Sequence, residues 1–238
     1  MKKISFFMVI LMAGFIFCSC SKVSVLELSK EKTSEVRENF YYQEKDDYVL
    51  TFSSGMREKD YNLDGVSSGE VVEFGLITLY SKSHALLNDY NSTYTLVYND
   101  EYLTGNLERN PYDGSLVADI GAKINQDTIN IKLYFNNQEI DFELVNVSKD
   151  WAVKSGDALE IACVHLANEL EKYVSKGRFY GEVYIKIAYN FSLNNDCMWY
   201  VKFLAPDFSY VSVVIDVATG NVISSSTDSM WDYKNKSD

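Results

Sequence analysis

From Tyr48 onward, apolar and polar residues alternate with a period of two, the pattern of strands that turn one face to a core and the other to water. The alternation predicts strands over residues 48–53, 71–80, 93–98, 116–123, 128–135 and 139–145. The clearest hairpin sets Ile129, Ile131, Leu133 and Phe135 against Ile140, Phe142 and Leu144. Its turn, Asn136-Asn137, tolerates the positive φ of a tight reversal. Residues 99–114 carry Asn110-Pro111-Tyr112-Asp113-Gly114 and predict a loop with a turn.

The period then changes. At 100° per residue Leu159, Ala162, Cys163, Leu166, Ala167, Leu170, Tyr173 and Val174 share one side, Asp157 and Glu160 form a capping box, and Gly177 supplies a stop. Strands follow over 179–191, 197–203 and 210–217, with a short Val222-Ile223 strand after Ala218-Thr219-Gly220-Asn221. Ahead of all these, residues 21–47 are polar and charge-mixed and read as a tether, with room for a short helix over 34–42. The fold class expected is α+β: a β-rich antiparallel middle domain over 48–147, then a helix packed on a curled antiparallel sheet over 148–225, and a tail over 226–238.

Charge narrows the class of partner. The 238 residues carry 22 basic against 34 acidic side chains, a net −12 that repels phosphates and excludes nucleic acid as the ligand. Hydrophobic residues at 47% can offset the entropy of ordering the chain, while Gly 12, Pro 2 and Cys 4 exclude collagen-like and disulfide-framework classes.

Met1-Lys2-Lys3 precedes an uncharged run over 4–17, too short for a stable bilayer span and fitted to a secretory signal peptide. The run ends in Phe17-Cys18-Ser19-Cys20, with the small Ser19 just before Cys20. This resembles the lipobox of bacterial lipoproteins. The resemblance implies a signal peptide over 1–19, a thioether-linked diacylglycerol on Cys20, a lipidated tether over 20–47, and an extracytoplasmic body held to the bacterial membrane. Two acyl chains anchor firmly, at roughly 0.8 kcal/mol per buried methylene. Without that modification the same leader would direct an ordinary secreted protein.

A helix leading to a strand, then Trp199, Val201 and Phe203 in a Trp-x-Val-x-Phe strand, then Asp216, Thr219, Gly220 and Val222 in Asp-x-x-Thr-Gly-x-Val, resembles the PepSY domain. That family occurs in secreted peptidase propeptides and envelope proteins. The resemblance implies a helix-plus-sheet domain over 148–225 that binds a peptidase or another envelope protein.

Four constellations are candidates for chemistry. Asp60-Tyr61-Asn62-Leu63-Asp64-Gly65 has the spacing and turn glycine of a calcium loop, with Asp60, Asn62 and Asp64 as ligands and Ser68 at the ninth position. The twelfth position is Val71, with Glu70 one residue early, so a plain polar connection with Asx-turns fits as well. Cys163 and Cys197 either pair as a disulfide or pack as buried thiols. Tyr180, Tyr184 and Tyr200 fall on the polar side of their strands, either as a binding face for peptide or glycan or as surface residues with good β-propensity. His84 and His165 are the only histidines, no Gly-x-Ser-x-Gly elbow is present, and the Ser-x-x-Lys at Ser29 and Lys32 lies in the tether.

The function expected is therefore non-enzymatic: a bacterial cell-envelope lipoprotein that binds or modulates a peptidase, another envelope protein or a peptide through its C-terminal sheet, without a cofactor. The alternatives are a calcium-stabilised adhesion or binding module at the Asp60 loop and an extracytoplasmic hydrolase using His84.

Overall fold

The computed structural model describes residues 24–83, 87, 91–190 and 196–228. Alternation makes strands where it was expected: β2 (Tyr48–Glu58), β3 (Val71–Ser81), β4 (Thr93–Tyr98), β7 (Leu116–Ile120), β8 (Thr128–Phe135) and β9 (Gln138–Asn146). The β8–β9 turn is made by Asn136 and Asn137, both at positive φ. Two more strands, β5 (Glu101–Asn106) and β6 (Glu108–Arg109), occupy most of the predicted loop. The C-terminal strands are β10 (Val174–Ser175), β11 (Arg178–Phe179), β12 (Glu182–Asn190), β13 (Asp196–Leu204), β14 (Tyr210–Asp216) and β15 (Val222–Asp228).

The tether is the largest correction. Residues expected to be flexible form α1 (Val25–Lys30) and β1 (Thr33–Lys45), thirteen residues at the heart of the molecule, and the short helix over 34–42 is strand. One edge of β1 pairs antiparallel with β2 from Glu35 to Lys45. The other edge has two successive partners: Thr33, Glu35 and Val36 run parallel to β12, and Tyr41 and Tyr42 run antiparallel to β9. A register shift between Arg37 and Asn39, read against β2, bends the strand between the two sets.

The fold class is corrected with it. Among the described residues strands make up 55% and helices 15%, and thirteen strands join in one mixed sheet of order β15-β14-β13-β12-β1-β2-β3-β7-β6, with β9, β8, β4 and β5 branching from β1. The fold is mainly β, not a β domain followed by a helix on a curled sheet. Helix is confined to short pieces, chiefly α2 (Ser155–His165) and α3 (Ala167–Leu170). Asp157 sits in the first turn of α2 and accepts the Lys154 N–H at 3.0 Å. Gly177, at φ +72 beside Lys176 at positive φ, turns the β10–β11 hairpin and does not stop the helix.

Two apolar cores result. Branches β2–β3–β7 and β9–β8–β4 enclose the first, built on Leu50, Phe52, Ile77, Leu96, Leu133 and Phe142. The second lies between the helices and β12–β14, built on Ala158, Leu159, Leu166, Trp199, Val201 and Val213. Each fully buried Leu, Ile or Phe contributes about 1.5–3 kcal/mol. β1 serves both, with Tyr41 in the first core and Val36 against the second.

Candidate functional site

β15 ends the sheet, with β14 as its neighbour among the described residues. Its seven residues are mostly exposed. An open edge offers N–H and C=O groups to another strand, and proteins usually blunt it with lysine, proline or shortness. β6, at the opposite end of the order, is two residues long, whereas Val222-Ile223-Ser224-Ser225-Ser226-Thr227-Asp228 carries neither lysine nor proline.

Paired residues on neighbouring strands share a face. Val222, Ser225 and Thr227 therefore lie with Ile215, Val213 and Val211, the side of β14 buried under the helices. The helical segment runs beside this face of the edge and leaves two hollows. Near Val222 a hollow of about 420 Å3 is lined by Ile161 and Val164, with Asp157, Glu160 and His165 around it. Val164 is 74% exposed there. Near Thr227 a groove of about 790 Å3 is lined by Tyr173, Tyr180, Pro206 and Tyr210, with Glu169, Asp207 and Asp228 opposing Lys172.

The groove walls are fixed. Tyr173 stacks on Phe179 with ring centroids 5.7 Å apart, and the Tyr180 N–H donates to the Tyr173 carbonyl at 2.7 Å. Ser209 donates to Asp207 through its hydroxyl (2.6 Å) and its N–H (3.0 Å), which holds that carboxyl below its usual range and keeps it charged. Gly65 lies against Ala205, another lining residue: it sits at φ +78, and a Cβ there would be 2.2 Å from the Ala205 oxygen.

The Asp60 loop is thus a structural brace. Gly65 N–H donates to Glu182 at 2.7 Å, Tyr61 donates to Glu35, and Ser67 Oγ and Ser68 N–H each reach Glu58 at 2.7 Å. Asp60, Asn62 and Asp64 are all exposed. The Asn62 carbonyl lies 3.3 Å from the Tyr184 hydroxyl, and Asp64 accepts its own Asx-turn bond from Val66. The described residues contain no group of three His, Cys, Asp or Glu able to hold a metal ion.

The loop braces a buried polar seam between β1 and β12. Burial pushes Glu35 up, but Arg37 (2.6 Å), Lys186 (3.0 Å) and the Tyr61 hydroxyl outweigh it and hold the carboxyl at about 2. Burial, with Arg37 and Lys202 nearby, lowers Lys186 in spite of Glu35. Among the described residues Glu182 has hydrogen bonds but no cation: Tyr184 at 2.6 Å, Gly65 N–H at 2.7 Å and Ser34 at 3.2 Å. Burial prevails there, and its carboxyl is raised.

The predicted tyrosine face separates. Tyr184 is fully buried in the seam, because β12 is covered on both sides, and its hydroxyl is pushed above its ordinary range by burial and Glu182. Tyr200 is half-buried on β13, and Tyr180 alone of the three lies in the groove. Tyr173 and Tyr210 were not among the three expected: Tyr173 lies in a helical turn, and Tyr210 opens β14 on the side of Ser212 and Asp216, opposite Val211 and Val213. Cys163 and Cys197 are not joined in a disulfide, and Cys163 is buried with its sulfur 3.6 Å from Ser29 Oγ. Ser29 is buried in α1 rather than in a tether, and His165 is exposed beside Val222. Cys20 and His84 lie outside the described residues.

Comparison with protein-family models, with curated proteins and with solved structures finds no match to this chain. Among the described residues, no helix is long and apolar enough to cross a membrane.

Proposed function

We propose that this is an extracytoplasmic binding protein of the bacterial cell envelope, anchored through lipid on Cys20, that captures a protein or peptide by strand addition along β15. The observation that carries the reading is the long, unblunted β15 edge with a tyrosine-lined groove at its end. Main-chain hydrogen bonds to an open edge supply affinity, and hollows that accept alternate side chains supply selectivity. Tyrosines suit such a groove, since each presents a broad apolar ring and a polar tip. The Cys20 anchor is supported by the leader sequence alone, and the net acidity of the chain would keep the body off an anionic bilayer.

The test is in-cell crosslinking. A photo-crosslinking residue at Ser226, on the open edge, is expected to trap a discrete partner, and the same residue at Asp141 on β9 is expected to trap none. Equal trapping at both positions, or none at either, would overturn strand addition. Mass spectrometry of the native N-terminus checks the anchor, which an unmodified Cys20 thiol would rule out.

A further inference from the structure

We infer that the ligand of the β15 edge is a cationic extended peptide with two anchor residues on one face, four positions apart: a lysine or arginine for the tyrosine groove and an aliphatic residue for the Ile161–Val164 hollow. The inference rests on the reading of β15 as a binding edge and gives that edge its ligand chemistry.

The spacing comes from the register. Val222 pairs with Ile215 and Thr227 with Val211, so five steps along β15 match four along a regular strand, the extra residue being absorbed by the irregularity between Val214 and Ile215. A peptide on the free side of β15 passes the hollow at Val222 and the groove at Thr227 with its same face inward. At about 3.3 Å per residue the two anchors lie about 13 Å apart. The order comes from direction. β12 to β15 pair antiparallel throughout, and a peptide continuing that pattern meets Thr227 first. The basic anchor is then N-terminal and the aliphatic one C-terminal.

Charge selects the basic residue. Asp157 and Glu160 flank the hollow, Glu169, Asp207 and Asp228 flank the groove, and Lys172 is the one lysine or arginine lining either. A cation entering the groove meets these carboxylates and the exposed Tyr180 ring, and both attract it, whereas Tyr173 is buried against Phe179 and the Tyr210 ring already carries the Lys202 ammonium at 4.4 Å. An acidic peptide would meet like charge along the whole path. The hollow takes an aliphatic side chain because Ile161, Val164 and Val222 line it.

Isotope-labelled full chain is titrated with three synthetic nine-residue peptides of alternating Thr and Val. One has Lys and, four residues later, Leu; one has Glu in place of Lys; one has Lys and Leu five apart. Binding is read by calorimetry, and the β15 amides by hydrogen exchange. The Lys peptide with the four-residue spacing is expected to bind at least tenfold more tightly than either control, to weaken with added salt, and to slow exchange of the outward β15 amides. N-methylation of alternate residues in that peptide is expected to abolish binding in one parity and spare it in the other. Equal affinity for all three peptides, with β15 protected each time, overturns the chemistry proposed here and leaves strand addition standing. Binding with no change at β15 overturns both. Outward amides already protected in the free monomer identify the chain's own terminus as occupant, and protection that grows with protein concentration identifies a second copy. Either result overturns a separate peptide ligand.

Discussion

The four strands β12–β15 have two edges, and the molecule treats them in opposite ways. At β12 the edge is closed by parallel pairing with β1 and covered by a loop that delivers Tyr61, Gly65, Ser67 and Ser68 to buried carboxylates. At β15 the edge is open, hydroxyl-rich and flanked by hollows. The same requirement governs both, since strand-edge polar groups need partners. It is met internally at one end, and at the other no strand among the described residues meets it. Stability should therefore be sensitive to substitutions at β12 and nearly indifferent to those at β15, with binding the reverse.

The largest effect is expected at Gly65. Alanine there combines a strained positive φ with a backbone clash at Ala205, and should cost about 3–4 kcal/mol in urea unfolding. A loss under about 1 kcal/mol would mean that the loop is not clamped to the closed edge.

Acid comes next. Glu35 titrates at about 2 when folded against 4.5 as the ordinary value, so the folded state binds fewer protons between those limits. Its contribution, about 3 kcal/mol, is full above pH 4.5 and is lost as pH falls through about 2. Glu35→Gln should remove that part of the slope, which unfolding curves between pH 2 and 6 will measure.

Glu182 should act with the opposite sign and more weakly. Its folded carboxyl is raised, so it lowers stability as pH rises through its folded value and restores it on acidification toward 4.5. Glu182→Gln can keep the Gly65 and Tyr184 bonds through its oxygen and turn its amide to Ser34. The variant should fall within about 1 kcal/mol of the parent near neutral pH and lose this opposing slope.

The smallest effect on stability belongs to the open edge. Ser224→Lys should change unfolding by no more than about 0.5 kcal/mol, as exposed substitutions do, while abolishing the adduct trapped from position 226 by charge and bulk at the edge. A large loss of stability would show that β15 is already engaged within the chain.

The β8–β9 hairpin was legible because each strand buries one face: β8 alternates exposed and buried without a break. β12 was placed as a strand but its faces were misjudged. Glu182, Val183, Tyr184 and Ile185 are all buried, and alternation cannot separate a solvated polar side from one sealed by a loop. β1 was hidden for a related reason. Ser34, Glu35 and Asn39 are buried polar residues with specific partners, and such residues look like solvent-facing ones until the partners are known. β15 was read only as far as Ile223, because a strand exposed on both faces leaves no apolar period in Ser224 to Asp228. The groove was legible at Tyr180 alone, since Tyr173 and Tyr210 reach it from a helical turn and a strand end.

The divided edge of β1 sets the timetable of assembly. This strand leaves the ribosome before any of its neighbours, and β12, which must seal its first half, is synthesised near the end. Loop closure over so long an interval is slow, and the early segment waits without its mate until most of the polypeptide has been made. Until the last third of the chain is made, the first half of β1 lacks its β12 partner and the second core lacks its sheet.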